Sequence, residues 1–426
     1  MAVERIKPTD FTKTPIERTT WPDLGNALIP KERYTSADYM QKEWDRMWTK
    51  VWLLGCRLDD IPEPGDYHVT SIGKEEILIS RQRNGGVRAF YNVCLHRGNR
   101  IMVGQGHAES FKCQYHHWDY DIDGAFKNIP DAETFPQGTP PCRGLREVKC
   151  DTWNGFVWFS LNDDPEPLHE YLSPLQEHLD PYHFERMHKI FDVTVEWDCN
   201  WKTSVDAFNE SYHVQGIHPE LLYYLDDKDI QIDVYGRHNR YLVPFATISE
   251  RVNETTEIPH LIKHIMKDAG MDPADFDGRV SEVRRAVQDF KRKNGAAMGL
   301  DYSELNDDQL TDDYHYLIFP NITLNTHADD LMLFRQRPHE TNPDKMYFDM
   351  QLYRLVKKDE EIPERPQHAS YRHGEISLGM VVDQDAHNLP GVQAGMHSSA
   401  LPGLWVGDQE FRIRHFHKVL EDYVGE

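Results

Sequence analysis

No run in this 426-residue chain reaches the ~18 consecutive apolar residues that a membrane-spanning helix needs, and no charged-then-apolar leader precedes the rest. The chain therefore reads as soluble and cytoplasmic. Basic residues are in short supply, 47 Lys and Arg against 71 Asp and Glu, giving a net charge of −24. Such a balance argues against nucleic acid or an anionic membrane as partner. Cysteine is sparse too, six in all, too few and too scattered for a disulfide framework. No glycine-rich dinucleotide fingerprint follows a strand, so the chain has no evident flavin or nicotinamide domain. Proline and glycine are not concentrated enough to mark disorder, and no internal repeat is visible.

What is present divides into stretches of different character. Residues 1–35 are expected to be irregular, with Pro8, Pro15, Pro22 and Pro30 as breakers. Ser36 then suits the N-cap of a helix to about Trp48, striped by Met40, Trp44, Met47 and Trp48. Short strands follow, among them 76–81, 87–92 across an Asn84-Gly85-Gly86 turn, and 155–161. Asp163 to Pro167 makes a linker. Beyond it a helix with Val280, Val283, Val287 and Phe290 on one face ends near Gly295, and strands are expected at 316–324, 330–337 and 346–355. The fold class is α+β: a small all-β domain over 45–163, a larger domain over 164–426, and an irregular segment and helix over 1–44 packing on the larger one.

Two short loops in the β region carry the sharpest signal: Cys94-Leu95-His96, sixteen residues, then Cys113-Gln114-Tyr115-His116. Each pairs a thiolate with an imidazole, the set a [2Fe–2S] cluster needs when two Cys hold one iron and two His the other. Structural zinc also takes Cys₂His₂, but its motifs pair like with like, and Cys-x-His is an awkward first half. The loops resemble the Rieske pattern. Its oxygenase version continues after the last His into Trp and an acidic turn, here His117-Trp118-Asp119, with His117 where Gly is common. Respiratory-chain Rieske proteins add a disulfide between the loops; Asn99 and Tyr115 occupy those positions, which favours the oxygenase or ferredoxin branch.

A second constellation spans Asn200-Trp201-Lys202 to Pro219. Read as helix, it places Asp206, Glu210 and His213 on one face, while His218 joins them only if the helix ends near Gly216 and Pro219. Two imidazoles and one carboxylate leave open positions on iron, as in non-haem Fe(II) oxygenases. The segment resembles the mononuclear-iron motif of Rieske non-haem iron oxygenase large subunits, and that resemblance implies His213 and His218 as iron ligands. It implies the carboxylate as an Asp some eight residues before a Val-Gln: Asp385 before Val392-Gln393, with Asp383 as the alternative. Pro390-Gly391 is expected to interrupt the helix there. Glu210 sits where the family bridges subunits, implying a route from a neighbour's His116 through Glu210 to His213, with Asp206 in support; Ala207 replaces the Asn common beside it.

The resemblance further implies a helix-grip catalytic domain, a [2Fe–2S] cluster on Cys94, His96, Cys113 and His116, mononuclear Fe(II), and a ring of three chains with or without a β subunit. A reductase, with or without a ferredoxin, would supply electrons, and O₂ and an apolar aromatic or polycyclic molecule would be the substrates. A demethylating or side-chain monooxygenase is the alternative; an electron carrier is the distant one. Pocket walls are expected from 208–224, 241–248 and 316–334. Arg240, Arg335 and Arg337 are read as surface charge, with a substrate carboxylate as their other partner.

Overall fold

The computed structural model describes residues 18–228, 230–252, 257–268 and 270–425. The expected irregularity around Pro8 and Pro15 lies outside them. The described chain forms two compact units, one of residues 41–173 and one of 174–426 with the N-terminal segment through Met40.

The smaller unit is built on a seven-stranded sheet whose order runs Trp52–Arg57, Phe156–Ser160, Glu147–Trp153, Val87–Tyr91, Glu75–Arg81, Asp66–Ile72, Gln105–His107. All its pairs are antiparallel. A three-stranded sheet of Phe111–Lys112, Asp119–Tyr120 and Phe126–Asn128 stands beside it in the same unit. A buried cluster including Phe90, Ile101, Phe111, Trp118 and Tyr120 takes in Cys94 and Cys113.

In the larger unit an eight-stranded sheet runs Gln231–Tyr235, His238–Val243, Asp313–Ile318, Ile322–Thr326, Asp330–Pro338, Met346–Arg354, His188–Trp197, Ala369–Arg372. Every pair is antiparallel except the last. The stretch 316–324, expected as one strand, is two. The chain turns at Phe319-Pro320-Asn321, and Ile318 pairs with Ile322. Proline cannot donate to a ladder, which makes this a natural corner.

Helices cover one face of this sheet. In the helix Trp201–Phe208, Phe208 packs on Phe334 and Phe348, with ring centroids 4.8 and 5.8 Å away. In Phe411–Val424, Arg412 lies 4.4 Å above the Tyr241 ring. The helix Met380–Met396 runs unbroken through Pro390 and Gly391, correcting the expected interruption. Ser36 Oγ accepts from the Tyr39 N–H as an N-cap does, and the expected helix is Ala37–Glu43 continued by a π turn, Trp44–Trp48. A short helix, Glu32–Thr35, precedes it.

The three arginines are not surface charge. Arg240 is fully buried and paired with Asp233, its directly opposed neighbour. Arg335 and Arg337 both hold Asp349 at 2.7 Å and keep its carboxyl well below the usual range against the burial that would raise it. Alternation along the strand puts Arg335 and Arg337 on the face opposite Phe334, away from the helix Trp201–Phe208.

Candidate functional site

In the smaller unit the two Cys/His loops form tight turns. Gly98 N–H bonds Cys94 O, and His117 N–H bonds Cys113 O. Closing the second turn puts His117 at φ +59°, a left-handed conformation in which glycine is at ease and histidine is not. That accounts for the glycine usual at this position in the resembled pattern. The loops bring the His96 and His116 rings within 4.4 Å, and Trp118 stacks on His96 at 5.0 Å. His96 Nδ1 is buried without a hydrogen-bond partner, an orphan that a metal bond would satisfy. Burial raises the Cys113 thiol, but the backbone N–H groups of Tyr115 and His116, with Cys94 and Asn99, outweigh it and lower its pKa, favouring the thiolate.

Tyr120 accepts from the Leu95 N–H at 3.0 Å, which leaves its own hydrogen to donate to Cys94 Sγ, 3.4 Å away. Hydrogen bonds to cluster sulfur stabilise the reduced form. Tyr120→Phe is therefore expected to lower the cluster's reduction potential without loss of cluster, measured by redox titration of the visible spectrum.

The second constellation lies in the larger unit. Asn200 caps the helix Trp201–Phe208, its side chain accepting from the Lys202 N–H at 3.0 Å. The helix stops at Phe208, so Glu210 and His213 do not continue it, contrary to the expected single helix. Glu210 instead turns onto the next segment: its Oε2 accepts from the His213 N–H at 3.0 Å and its Oε1 from His213 Nδ1 at 2.6 Å. His213 is the N-cap of a one-turn helix, Val214–Ile217, and His218 its C-cap.

These turns converge the donors. One atom each of His213, His218 and Asp385 lies within 4.8 Å of the others. Asp385 Oδ1 stands 3.1 Å from His218 Nε2 and 3.6 Å from His213 Nε2. Both Nδ1 atoms are engaged elsewhere, His213 with Glu210 and His218 with Gln384 Oε1 at 2.7 Å. Each imidazole is thereby held as the Nδ1–H tautomer with Nε2 free to bind a metal. Two neutral nitrogens and one carboxylate are the donors a ferrous ion takes while keeping open positions. Burial works against the His213 imidazolium, yet Glu210 and then Asp385 outweigh it and raise its pKa.

Asp383 is placed elsewhere: its carboxylate accepts from the Leu378 N–H at 2.7 Å and from Ser377 Oγ at the start of its helix. Asp206 makes no direct bond to His213, His218 or Asp385 either. Its Oδ2 accepts from the Tyr34 hydroxyl, which accepts from His417 Nε2 at 2.7 Å, while His417 Nδ1 accepts from Arg33 at 3.3 Å. Glu410 lies close enough to feel both Glu210 and Asp206, and burial raises its carboxyl.

Sequence reasoning missed Gln384, Tyr34, His417 and Glu410. Gln384, adjacent to Asp385, was the one within reach, since a histidine ligand needs a partner for its other nitrogen. Gln393, noted only as a spacing marker, ties the two halves of the site together. Its Oε1 accepts from the Asn200 N–H at 2.9 Å and Thr203 Oγ1 at 3.1 Å, and its Nε2 donates to Tyr34 O and Asp344. Gln393→Leu leaves the buried Asn200 N–H and Thr203 hydroxyl unpaired, an expected cost of about 3 kcal/mol, seen as a fall of roughly 6 °C or more in the melting temperature.

A cavity of about 1000 Å³ opens in the same unit. Tyr224, six residues past His218, and Phe245 line it, as do His327, Asp330, Leu331 and Leu352. The helix Val280–Asn294 adds Val287, Phe290 and Lys291, a wall the sequence reading did not include. Burial raises the Tyr241 hydroxyl, which also feels Arg412, Asp313, Glu210 and Asp385.

Comparison with known proteins gives the family. Residues 182–426 match the family model of the ring hydroxylating alpha subunit (catalytic domain), and residues 51–145 match the Rieske [2Fe-2S] domain. The glycine betaine monooxygenase oxygenase subunit of Pseudomonas aeruginosa (strain UCBPP-PA14) is 30% identical over 197 residues, 46% of this chain and 45% of that one. The large oxygenase component of the naphthalene 1,2-dioxygenase system of Pseudomonas aeruginosa is 29% identical over 195 residues, 43% of each. The chain thus spans about half the length of these curated relatives. Among solved structures, a quaternary ammonium Rieske monooxygenase with L-carnitine superposes with TM-score 0.68 at 17% identity, covering 96% of this chain and 100% of that one. Naphthalene 1,2-dioxygenase from Rhodococcus sp. bound to indole gives 0.66 at 19%, covering 93% and 94%. With the Rieske domain ahead of the iron-binding catalytic domain, the chain belongs to the ring hydroxylating alpha subunits, the large subunits of Rieske oxygenases.

Proposed function

We propose that this chain is a terminal oxygenase component that hydroxylates an apolar, ring-bearing substrate with O₂ and electrons from a separate reductase, with or without a ferredoxin. The observation that carries the reading is the convergence of His213, His218 and Asp385, with each imidazole fixed through its Nδ1. When bound, the cluster on Cys94, His96, Cys113 and His116 passes single electrons, and iron held by the three donors activates dioxygen. The chain's residues set the conditions for this. Glu210 and Gln384 orient the imidazoles, and the Asp385 carboxylate brings negative charge to the site. The Arg33–His417–Tyr34–Asp206 chain is a buried hydrogen-bonded path to the segment that carries Glu210. As in the resembled family, Glu210 would accept from His116 of the partner subunit in a ring of three. The cluster domain is taken as 45–163 and the catalytic domain as 164–426.

Size favours a ring-bearing substrate over a small betaine: about 1000 Å³ stands at the upper end of pockets for drug-sized ligands. A second reading is oxidative demethylation of a quaternary ammonium compound. It is supported by the glycine betaine and carnitine monooxygenases among the relatives and by aromatic and acidic groups, Tyr224 and Asp330, on one cavity wall.

The test is a single turnover of reduced, iron-loaded protein under ¹⁸O₂ with polycyclic aromatics, steroids, N-methyl aromatics and betaines. Label in a ring hydroxyl supports the first reading, with two atoms meaning dioxygenation and one monooxygenation. Formaldehyde release from a betaine supports the second. Cluster reoxidation at one rate with every compound, without label in any product, would leave an electron carrier.

A further inference from the structure

Three titratable groups on the cavity side of the sheet take no part in the site described above. His315 pairs directly with Asn325, and Asn325 with Met332. Alternation therefore sets Asp313, His315, Asn325, His327, Asp330, Met332 and Phe334 on one face. Phe334 carries Phe208 of the helix Trp201–Phe208, so this is the face toward the metal donors.

On it His327 stands between two carboxylates, Nδ1 2.9 Å from Asp330 Oδ1 and Nε2 3.9 Å from Asp313 Oδ1. Burial disfavours the imidazolium, but Asp330 and then Asp313 outweigh it and raise its pKa to about 9. The triplet of two carboxylates and one imidazolium keeps one net negative charge. His327 and Asp330 line the cavity, and the Asp330 side chain is 53% exposed there. Beside them Asn325 is 8% exposed, its Nδ2 without a partner, and Asp313 Oδ1 makes no hydrogen bond. Lys291, the nearest ammonium on the helix Val280–Asn294, is committed to Asp329. Phe290, Leu331 and Leu352 line the cavity together with Arg354, Lys357, Lys358, Asp359 and Glu360, and Arg354, which stands opposite Asp330 in the sheet, is paired with Glu360.

We propose that Asp330, oriented by His327 and Asp313, is the specificity-determining residue of the cavity, recognising a hydroxyl that donates a hydrogen bond from one end of an otherwise apolar polycyclic substrate. The inference rests on the ring-hydroxylating reading and narrows it, because a quaternary ammonium has no hydrogen to donate.

Equilibrium binding to the oxidised full chain tests it, by calorimetry or tryptophan fluorescence. The probes are 2-naphthol, 2-methoxynaphthalene and 2-(trimethylammonio)naphthalene, and the same three end groups at position 3 of a steroid skeleton. On the parent protein the hydroxyl member of a series is expected to bind about tenfold or more tighter than its methyl ether, as a hydrogen bond to a charged acceptor requires. Asp330→Asn should reduce that ratio to within about twofold, with a retained cooperative thermal transition showing that the fold is kept. Equal binding of hydroxyl and ether by the parent overturns the proposal, as does tightest binding of the trimethylammonium member. So does failure of all six to bind. None of these outcomes touches the iron count or ¹⁸O incorporation, by which the oxygenase reading itself stands or falls.

Discussion

Glu210→Gln is expected to leave the cluster spectrum and the iron content close to those of the parent while lowering turnover about 100-fold or more. Glu210 donates nothing to the converging metal donors; it binds them indirectly, through both the Nδ1 and the backbone N–H of His213. The amide oxygen of Gln can still accept from Nδ1, so the ring keeps its tautomer and the metal its ligand. What is lost is the negative charge and one acceptor. Outer partners of ligating histidines change affinity or activity by 10–100-fold, and here the same carboxylate is proposed to carry the intersubunit contact as well. The decisive measurement is the rate of cluster reoxidation in a single turnover. Product formation within a few-fold of the parent would remove Glu210 from the electron route.

Asp385→Ala should have the opposite signature: the cluster survives and the mononuclear iron goes. Iron per chain should fall from about three to about two, with sulfide unchanged. Asp383→Ala is the control built into the same turn. Its carboxylate serves the Leu378 N–H and Ser377, so its loss should cost about 1 kcal/mol of helix stability and no iron. Iron retained by Asp385→Ala and lost by Asp383→Ala would reverse the assignment.

Both candidate metal sites were legible in the sequence to different depths, for a physical reason. The cluster ligands lie on two local turns, so spacing alone carried them. His213 and His218 were legible as a pair, but not the backbone that unites them. A continuous helix was the natural reading of Asp206, Glu210 and His213. The chain breaks it because Glu210 satisfies the His213 N–H and the Ser211 hydroxyl bonds Asp227 O, local bonds that compete with the helix ladder. The arginines were misread because charge was weighed without register. Arg240 lies directly opposite Asp233, and Arg335 opposite Asp349, so each strand pair supplies its own counter-ion. Tyr34, His417 and Gln393 could not have been found locally. Tyr34 meets Asp206 across 172 positions and Gln393 meets Asn200 across 193, and only the folded chain brings them together.

That separation has a temporal side. His218 and Asp385 are 167 positions apart. A ribosome adding ~5–20 residues per second takes on the order of ten seconds or more to go from one to the other. During that interval the nascent chain owns the two imidazoles without Asp385, so the three donors can converge only after Asp385 has been made. Iron held by these three donors would then be a clasp on a very long loop, whose closure adds little entropic cost per extra residue. Hydrogen exchange should register the clasp: stripping the metal would release amides in 380–396 and 213–218 together, while those of the cluster turns keep their own clock.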